Sequence, residues 1–121
     1  MPQQTQSGTA SGVPSAAKPK VTGVLVIETA KQGISPQQIV ALIPEEIRAT
    51  TKLYLDGKIR EWYSRGDGKG IVFLLDAKTE DEARAIMETL PLAKEHVMDS
   101  QYIPVGPLMP LRALLGAGPQ S

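Results

Sequence analysis

Residues 57–76 read GKIREWYSRGDGKGIVFLLD, and this stretch decides how the rest of the chain can fold. Its first part, Ile59 to Arg65, mixes charged and aromatic residues, whereas Ile71 to Leu75 is apolar on both faces that a strand presents. The three glycines and the Asp-Gly pair between them favour a hairpin turn. A phosphate-binding loop would lead into a helix, and here a strand follows. The stretch therefore predicts one edge strand and one central strand.

The segment before this hairpin predicts a second central strand followed by a helix. Val21 to Ala30, VTGVLVIETA, is rich in β-branched residues and apolar on both faces. Ser35 is placed as an N-cap, with Pro36 at the first helical position and Gln38 completing a capping box. Pro44 predicts either a kink in this helix or two consecutive helices.

The segment after the hairpin predicts a second helix and a last strand. Thr79 begins a capping box, and three acidic residues occupy the first turn, where the helix dipole favours them. An apolar stripe follows, and Pro91 is expected to end the helix. The strand from about Val97 to Val105 carries polar residues typical of an edge. The stripe consists of Ala83, Ile86, Met87 and Leu90.

The element order strand, helix, strand, strand, helix, strand predicts an α+β protein of the ferredoxin-like βαββαβ type. This fold has a four-stranded antiparallel sheet with two helices on one face, and its first and third strands are central. Because both central strands are apolar on both faces, the uncovered face needs a partner. A second copy of the sheet is the simplest one, so we expect a homodimer or a higher homo-oligomer, built as a dimeric α/β barrel.

The chain divides into a core domain and two flanking segments. Residues 1–20 contain one branched aliphatic residue, Val13, and are expected to form a disordered tail. Residues 21–106 form the predicted α+β domain. Residues 107–121 are an apolar extension broken by proline, which we expect to lie across a neighbouring subunit or the domain itself.

Composition excludes several classes of function. The chain has 13 basic and 13 acidic residues, one Trp, one Phe and three Tyr, so it offers neither a basic surface nor a base-stacking platform for nucleic acid. No apolar run approaches the roughly 20 residues that span a bilayer, so we expect no membrane partner and a cytoplasmic location. Cysteine is absent, and no ligand spacing or cofactor motif indicates a metal or a cofactor.

Two side chains are candidates for acid–base chemistry. Glu28 follows the apolar part of the first strand, where it is either an exposed strand-end acid or a base whose pKa is raised by a cavity. His96 is the only histidine and lies in a polar connection, where it is either an ordinary surface residue or a group that closes over a pocket.

Four further residues are candidates for substrate binding. Arg60 and Trp62 share one face of a regular strand, so they could form an anion clamp beside an aromatic wall; alternatively, Trp62 is core and Arg60 pairs with an acid at the rim. Tyr63 and Tyr102 could donate hydrogen bonds to an enolate, or could simply be packed.

Several short motifs together resemble the muconolactone delta-isomerase family. They are the helix end at Gly57-Lys58, Glu61-Trp62-Tyr63 with its glycine loop, Val72 to Asp76, Glu82 to Leu90 leading into Leu90-Pro91-Leu92, Met98-Asp99 and Pro107-Leu108. The likeness covers roughly Tyr54 to Leu108. It implies a ferredoxin-like chain that pairs into a dimeric α/β barrel and assembles further into rings.

The resemblance also implies a cofactor-free isomerase that shifts a proton on a small lactone or organic acid. Because this scaffold serves many functions, two alternatives stay open. One is a non-catalytic oligomeric protein that binds a small-molecule ligand or acts as an accessory factor. The other is a cofactor-independent oxygenase. Convergence of Glu28, Arg60 and His96 on one cavity would favour the isomerase.

Overall fold

The computed structural model describes residues 20–108, and Val21–Val105 form a compact unit. In chain order its elements are β1 (Gly23–Ala30), α1 (Pro36–Leu55), β2 (Ile59–Ser64), β3 (Gly70–Leu75), α2 (Glu80–Met87), α3 (Pro91–Lys94) and β4 (Met98–Val105). The predicted tail, except Lys20, and the extension beyond Leu108 lie outside the described residues. No helix between residues 20 and 108 is long and apolar enough to cross a membrane.

The four strands form one antiparallel sheet in the order β2-β3-β1-β4. This order places β1 and β3 in the centre and β2 and β4 at the edges, as the distribution of apolar and polar residues predicts. The sheet, with its three helices, gives an α+β fold that is consistent with the ferredoxin-like arrangement.

The core lies between one face of the sheet and the helices. Val24, Val26, Phe73 and Leu75 point to this face and are fully buried. From the helix side they are covered by Ala49 and Leu53 of α1 and by Ala83, Ile86 and Met87 of α2. Because side chains alternate between the two faces of β1, every second residue of this strand faces the core.

The opposite face of the sheet carries a second set of apolar side chains. Leu25 pairs with both Leu74 and Ile103, and Ile27 pairs with Val72, so these five residues share one face. Each of them is only partly buried. We call Leu25, Ile27, Val72, Leu74 and Ile103 the open face.

Helix α1 is a single continuous helix that contains Pro44, so the alternative of two consecutive helices is wrong. Its N-terminus has the predicted capping box: Gln38 N–H donates to Ser35 Oγ (3.2 Å), and Ser35 N–H donates to Gln38 Oε1 (2.9 Å). Pro44 is exposed, so water can hydrate the carbonyl that the missing N–H leaves free.

The buried side of α1 differs from the apolar spacing in the sequence. Val40 and Ile47 are 65% and 57% exposed, and Tyr54 is 47% exposed. The buried positions on this helix are instead Glu46 and Thr50. Apolar content alone therefore does not identify the side of α1 that faces the sheet.

Pro91 begins α3 instead of ending α2, which stops at Met87. Proline suits the first turn of a helix because its missing N–H would have no partner there. The short helix buries Leu92, and Leu90, two residues earlier, is buried as well. Strand β4 then begins at Met98, one residue later than predicted.

Candidate functional site

Glu28 lies on the core face of β1 although it is acidic. It follows Val24 and Val26 at intervals of two residues, so the strand turns its side chain towards the helices, and it is 1% exposed. The reading as an exposed strand-end acid is therefore wrong. Its Oε2 accepts a long hydrogen bond from Ser100 Oγ (3.4 Å), and its Oε1 has no partner among the described residues.

A second buried carboxyl group, that of Glu46, comes from α1. Glu46 is 3% exposed; its Oε1 accepts the backbone N–H of Leu92 (3.0 Å), and its Oε2 has no partner within residues 20–108. Glu46 is not among the residues that the sequence patterns indicate. Its position in the sequence could have indicated it. Glu46 follows Leu42 by four residues and Ile43 by three, and it precedes Leu53 by seven, so all four lie on one side of the helix.

Burial raises the proton affinity of both carboxyl groups, and Glu46 raises that of Glu28 further. The pKa of Glu28 rises from 4.5 to about 7, first because burial disfavours the charged form and then because Glu46 is negatively charged nearby; the Ser100 hydroxyl opposes the rise. Burial also raises the pKa of Glu46, and the Leu92 N–H opposes that rise by stabilising the carboxylate. Glu28 is thus placed to gain and lose a proton near neutral pH.

An apolar cavity of about 230 Å³ reaches the residues that flank both carboxyl groups. Ile71, which is the cross-strand partner of Glu28, and Leu92, whose N–H binds Glu46, both line it. The remaining walls come from α1, the ends of β1 and β4, and the hairpin turn: Ala30, Ile39, Ile43, Ser64, Gly68, Lys69, Gly70 and Met98. We call this space the carboxylate cavity.

The β2–β3 turn is held against the backbone of Glu28. A Cβ atom on Gly70 would lie 1.8 Å from the carbonyl oxygen of Glu28, so only glycine allows this approach. Arg65 Nη1 donates to Thr29 Oγ1 and, at 3.5 Å, to the same Glu28 oxygen. The turn glycines therefore close one wall of the cavity.

His96 lies in the connection between α3 and β4 and is exposed. Its backbone adopts a left-handed conformation (φ 57°), which ends α3 through the hydrogen bond from His96 N–H to the Ala93 carbonyl (3.0 Å). Its side chain does not line the carboxylate cavity. Within the described residues, its position is that of a helix-terminating residue on the surface.

Arg60, Trp62 and Tyr63 lie together on the edge strand β2, which β3 separates from the strand that carries Glu28. With Tyr54 and Glu61 they line an open groove of about 360 Å³ along the edge strand β2. Trp62 is 37% exposed and packs edge-on against Tyr54, with ring centroids 4.7 Å apart. Trp62 is therefore not the fully buried core residue that one of the two alternatives describes.

Arg60 pairs with an acid at the rim of the sheet, as predicted in the alternative to an anion clamp. Its Nη2 donates to Asp76 Oδ1 (2.7 Å) and to the Thr22 carbonyl. The expected shared face with Trp62 assumes regular alternation, but the pairing with β3 is irregular between Ile59 and Glu61. Thr22 is six residues before Glu28, or about 20 Å along an extended chain, so Arg60 and Glu28 do not converge.

Tyr102 lies on the core face of β4, opposite Val26 and two residues from Ser100. The guanidinium of Arg84 lies 4.5 Å above the centre of its ring. Burial raises the pKa of this tyrosine, Arg84 opposes the rise, and the charge of Glu28 adds to it, so the two side chains interact electrostatically. Of the predicted binding residues, Tyr102 is the one next to Glu28.

Among residues 20–108, no group of three or more acidic or histidine side chains is arranged to hold a metal ion. The arrangement offers instead two buried carboxyl groups beside a small apolar space, which suits proton transfer. No protein-family model matches this chain, and no curated protein is significantly similar to it in sequence.

Proposed function

We propose that this protein is a small acid–base enzyme of the muconolactone-isomerase type, in which Glu28 moves a proton on a lactone or a related organic acid without a cofactor. One observation carries this proposal: a nearly inaccessible carboxyl group with an unpartnered oxygen and a pKa of about 7 lies beside a second buried carboxyl group and an apolar cavity. Enzymes tune general acids and bases towards neutral pH in this way.

In the proposed reaction, the carboxylate of Glu28 removes a proton from the carbon that is conjugated to the substrate carbonyl through a C=C bond. The C–H bond breaks, its electron pair moves onto the carbonyl oxygen as a conjugated enolate, and the proton forms the O–H bond of Glu28. The neutral acid then returns the proton to a different carbon of the enolate, which restores the carbonyl and moves the double bond. No oxidant or second substrate is needed.

Glu46 supports this cycle by its charge. With its Oε1 fixed by the Leu92 N–H (3.0 Å), it is the better placed of the two to stay ionised, and its charge raises the proton affinity of Glu28. Tyr102 has its ring next to the same carboxyl group and is the candidate for a hydrogen bond to the enolate oxygen.

The proposal includes a dimeric α/β barrel built on the open face. This face has an apolar centre of Leu25, Ile27, Val72, Leu74 and Ile103, and polar side chains at its margins, namely Glu61, Asp99 and Gln101. An apolar centre with a polar rim is the usual anatomy of a protein interface. Because it is one continuous sheet face, two copies can pack through it about a two-fold axis.

The direct test is turnover of muconolactone, followed by ultraviolet absorbance and by deuterium incorporation from D₂O. The expected result is turnover by the native protein and a loss of at least about 100-fold in Glu28→Gln, since general acid–base catalysis contributes on the order of 10²–10⁴. Glu45→Gln is the matched control, because Glu45 precedes Glu46 but lies on the surface, paired with Arg48 (2.8 Å).

The principal alternative is a non-catalytic protein that binds a small ligand in the same cavity. One observation favours it: Arg60 lines a separate groove and His96 does not line the carboxylate cavity, so the three expected groups do not converge on one site. A native protein that binds muconolactone without exchanging its protons with D₂O would support this alternative and contradict the isomerase.

A further inference from the structure

The carboxylate cavity is apolar except at its mouth. Six of the ten residues that line it have apolar side chains and two are glycines, so the polar lining consists of Ser64 and Lys69. Lys69 is exposed in the hairpin turn, whereas the two residues that flank Glu28 and Glu46 lie at the inner end. The cavity thus has one positive charge at its mouth and two acidic groups behind its far wall.

The ammonium group of Lys69 attracts Asp67 of its own turn, but the ion pair of that acid is with Arg65. Asp67, the nearest acid in sequence, forms an ion pair with Arg65 (2.5 Å), and its other oxygen accepts the backbone N–H of Lys69 (2.9 Å). No side chain among residues 20–108 forms an ion pair with Lys69 itself. Its charge is therefore available to a ligand.

The size and charge of the cavity restrict what can enter. At about 230 Å³ it is smaller than the roughly 300–1,000 Å³ of pockets for drug-sized ligands. An anionic group at the inner end would contact the apolar side chains of Ile71 and Leu92, with two acidic groups behind them, whereas the same group at the mouth would contact Lys69. A ligand with an apolar body and one terminal carboxylate fits the cavity in a single orientation, with its body at the apolar inner end and its carboxylate next to Lys69.

Building on the proposed function, we infer that the substrates of this site are small apolar monocarboxylates, and that Lys69 binds the carboxylate at the mouth while the apolar body lies at the inner end, against Ile71 and Leu92. Lys69 is then a residue that selects and orients the substrate without transferring a proton. The two glycines beside it, Gly68 and Gly70, keep the mouth free of side chains.

The test is an NMR titration of the full chain with two probes of equal shape, benzoate and the uncharged benzamide. We expect benzoate to bind more tightly than benzamide and to shift the amide signals of Ala30, Ile71 and Leu92. In Lys69→Gln the affinity for benzoate should fall about fivefold, as for an exposed charge pair, and that for benzamide should not change. Lys58→Gln, at the far end of the hairpin, is the control.

Equal affinity for the two probes, no binding of either, or equal effects of Lys69→Gln and Lys58→Gln would each overturn the inference. So would signal changes confined to the groove lined by Arg60 and Trp62. Because the titration measures binding alone, its failure is distinct from failure of the proposed reaction, which appears as absent turnover or as full activity in Glu28→Gln.

Discussion

At the scale of single residues, the carboxyl group of Glu28 links stability to proton binding. Its pKa is about 7 in the folded protein and 4.5 without burial, so between these values the folded state binds more protons than the unfolded state. Stability gained from the neutral acid is therefore present at low pH and falls as the pH rises through this window. Glu46, with its raised pKa, acts in the same direction.

We therefore predict that the free energy of unfolding decreases by about 2–3 kcal/mol between pH 5 and pH 8, since each pKa unit corresponds to about 1.4 kcal/mol. Glu28→Gln should remove most of this slope and leave the smaller part due to Glu46. Urea denaturation at a series of pH values measures both. Identical slopes in the native protein and the variant would show that Glu28 is not a buried acid.

Gly70 is the residue whose lack of a side chain the fold requires most directly. We predict that Gly70→Ala destabilises the protein by at least about 1–3 kcal/mol, because the new Cβ would lie 1.8 Å from the Glu28 carbonyl oxygen. Gly66→Ala is the matched control, since a Cβ there meets no atom within 4 Å. Equal denaturation midpoints for the two variants would refute the close approach of the turn to β1.

At the scale of elements, α1 supplies Glu46 and two walls of the cavity, and its start is fixed by the capping box. We predict that Ser35→Ala costs about 1 kcal/mol, because the side chain that accepts the Gln38 N–H is lost. Gln37→Ala, in the exposed first turn, should change stability by less than about 0.5 kcal/mol. Chemical denaturation of the two variants measures the difference, and equal costs would contradict the capping role.

The strands could be predicted from the sequence because burial on one or two faces imposes a clear pattern. The apolar runs of β1 and β3 and the polar residues of β2 and β4 gave the strand order, and the Asp-Gly turn gave the hairpin. The helix starts at Ser35 and Thr79 could also be predicted, because the side chains of these capping residues accept backbone N–H groups only a few residues away.

The site was less predictable, because it depends on contacts between distant elements. Glu28 could be proposed from its place after an apolar strand, but Glu46 comes from another element and binds Leu92, which is 46 residues away. Val40 and Ile47 are apolar although they lie on the outer side of α1, so apolar content does not show which side of this helix is buried. Ending α2 at Pro91 missed the short helix that positions the Leu92 N–H.

At the scale of the whole molecule, the open face is the main feature that a single chain leaves unpartnered in the described residues. We predict that the native protein sediments as a dimer or larger assembly of the 13.0 kDa chain. Ile27→Asp should be monomeric, because it places a charge at the centre of the face. Analytical ultracentrifugation measures both, with circular dichroism to verify that the variant is folded.

Val40→Asp is the control for this prediction, since Val40 is an exposed apolar residue on the other side of the molecule's helical layer. It should not change the mass. A monomeric native protein, or an Ile27→Asp variant that stays oligomeric while folded, would contradict pairing through the open face. Leu74→Lys, also on this face, gives a second variant if Ile27→Asp fails to fold.

The proposed chemistry depends on a carboxyl group that exchanges a proton near neutral pH inside the fold, and one measurement tests this directly. It is a titration of the Glu28 side-chain carboxyl carbon by ¹³C NMR, in the native protein and in Glu46→Gln. We predict a midpoint of about 7 in the native protein and a lower one in the variant, which lacks the neighbouring negative charge. A native midpoint near 4.5, unchanged by Glu46→Gln, would contradict the buried pair and the function proposed for it.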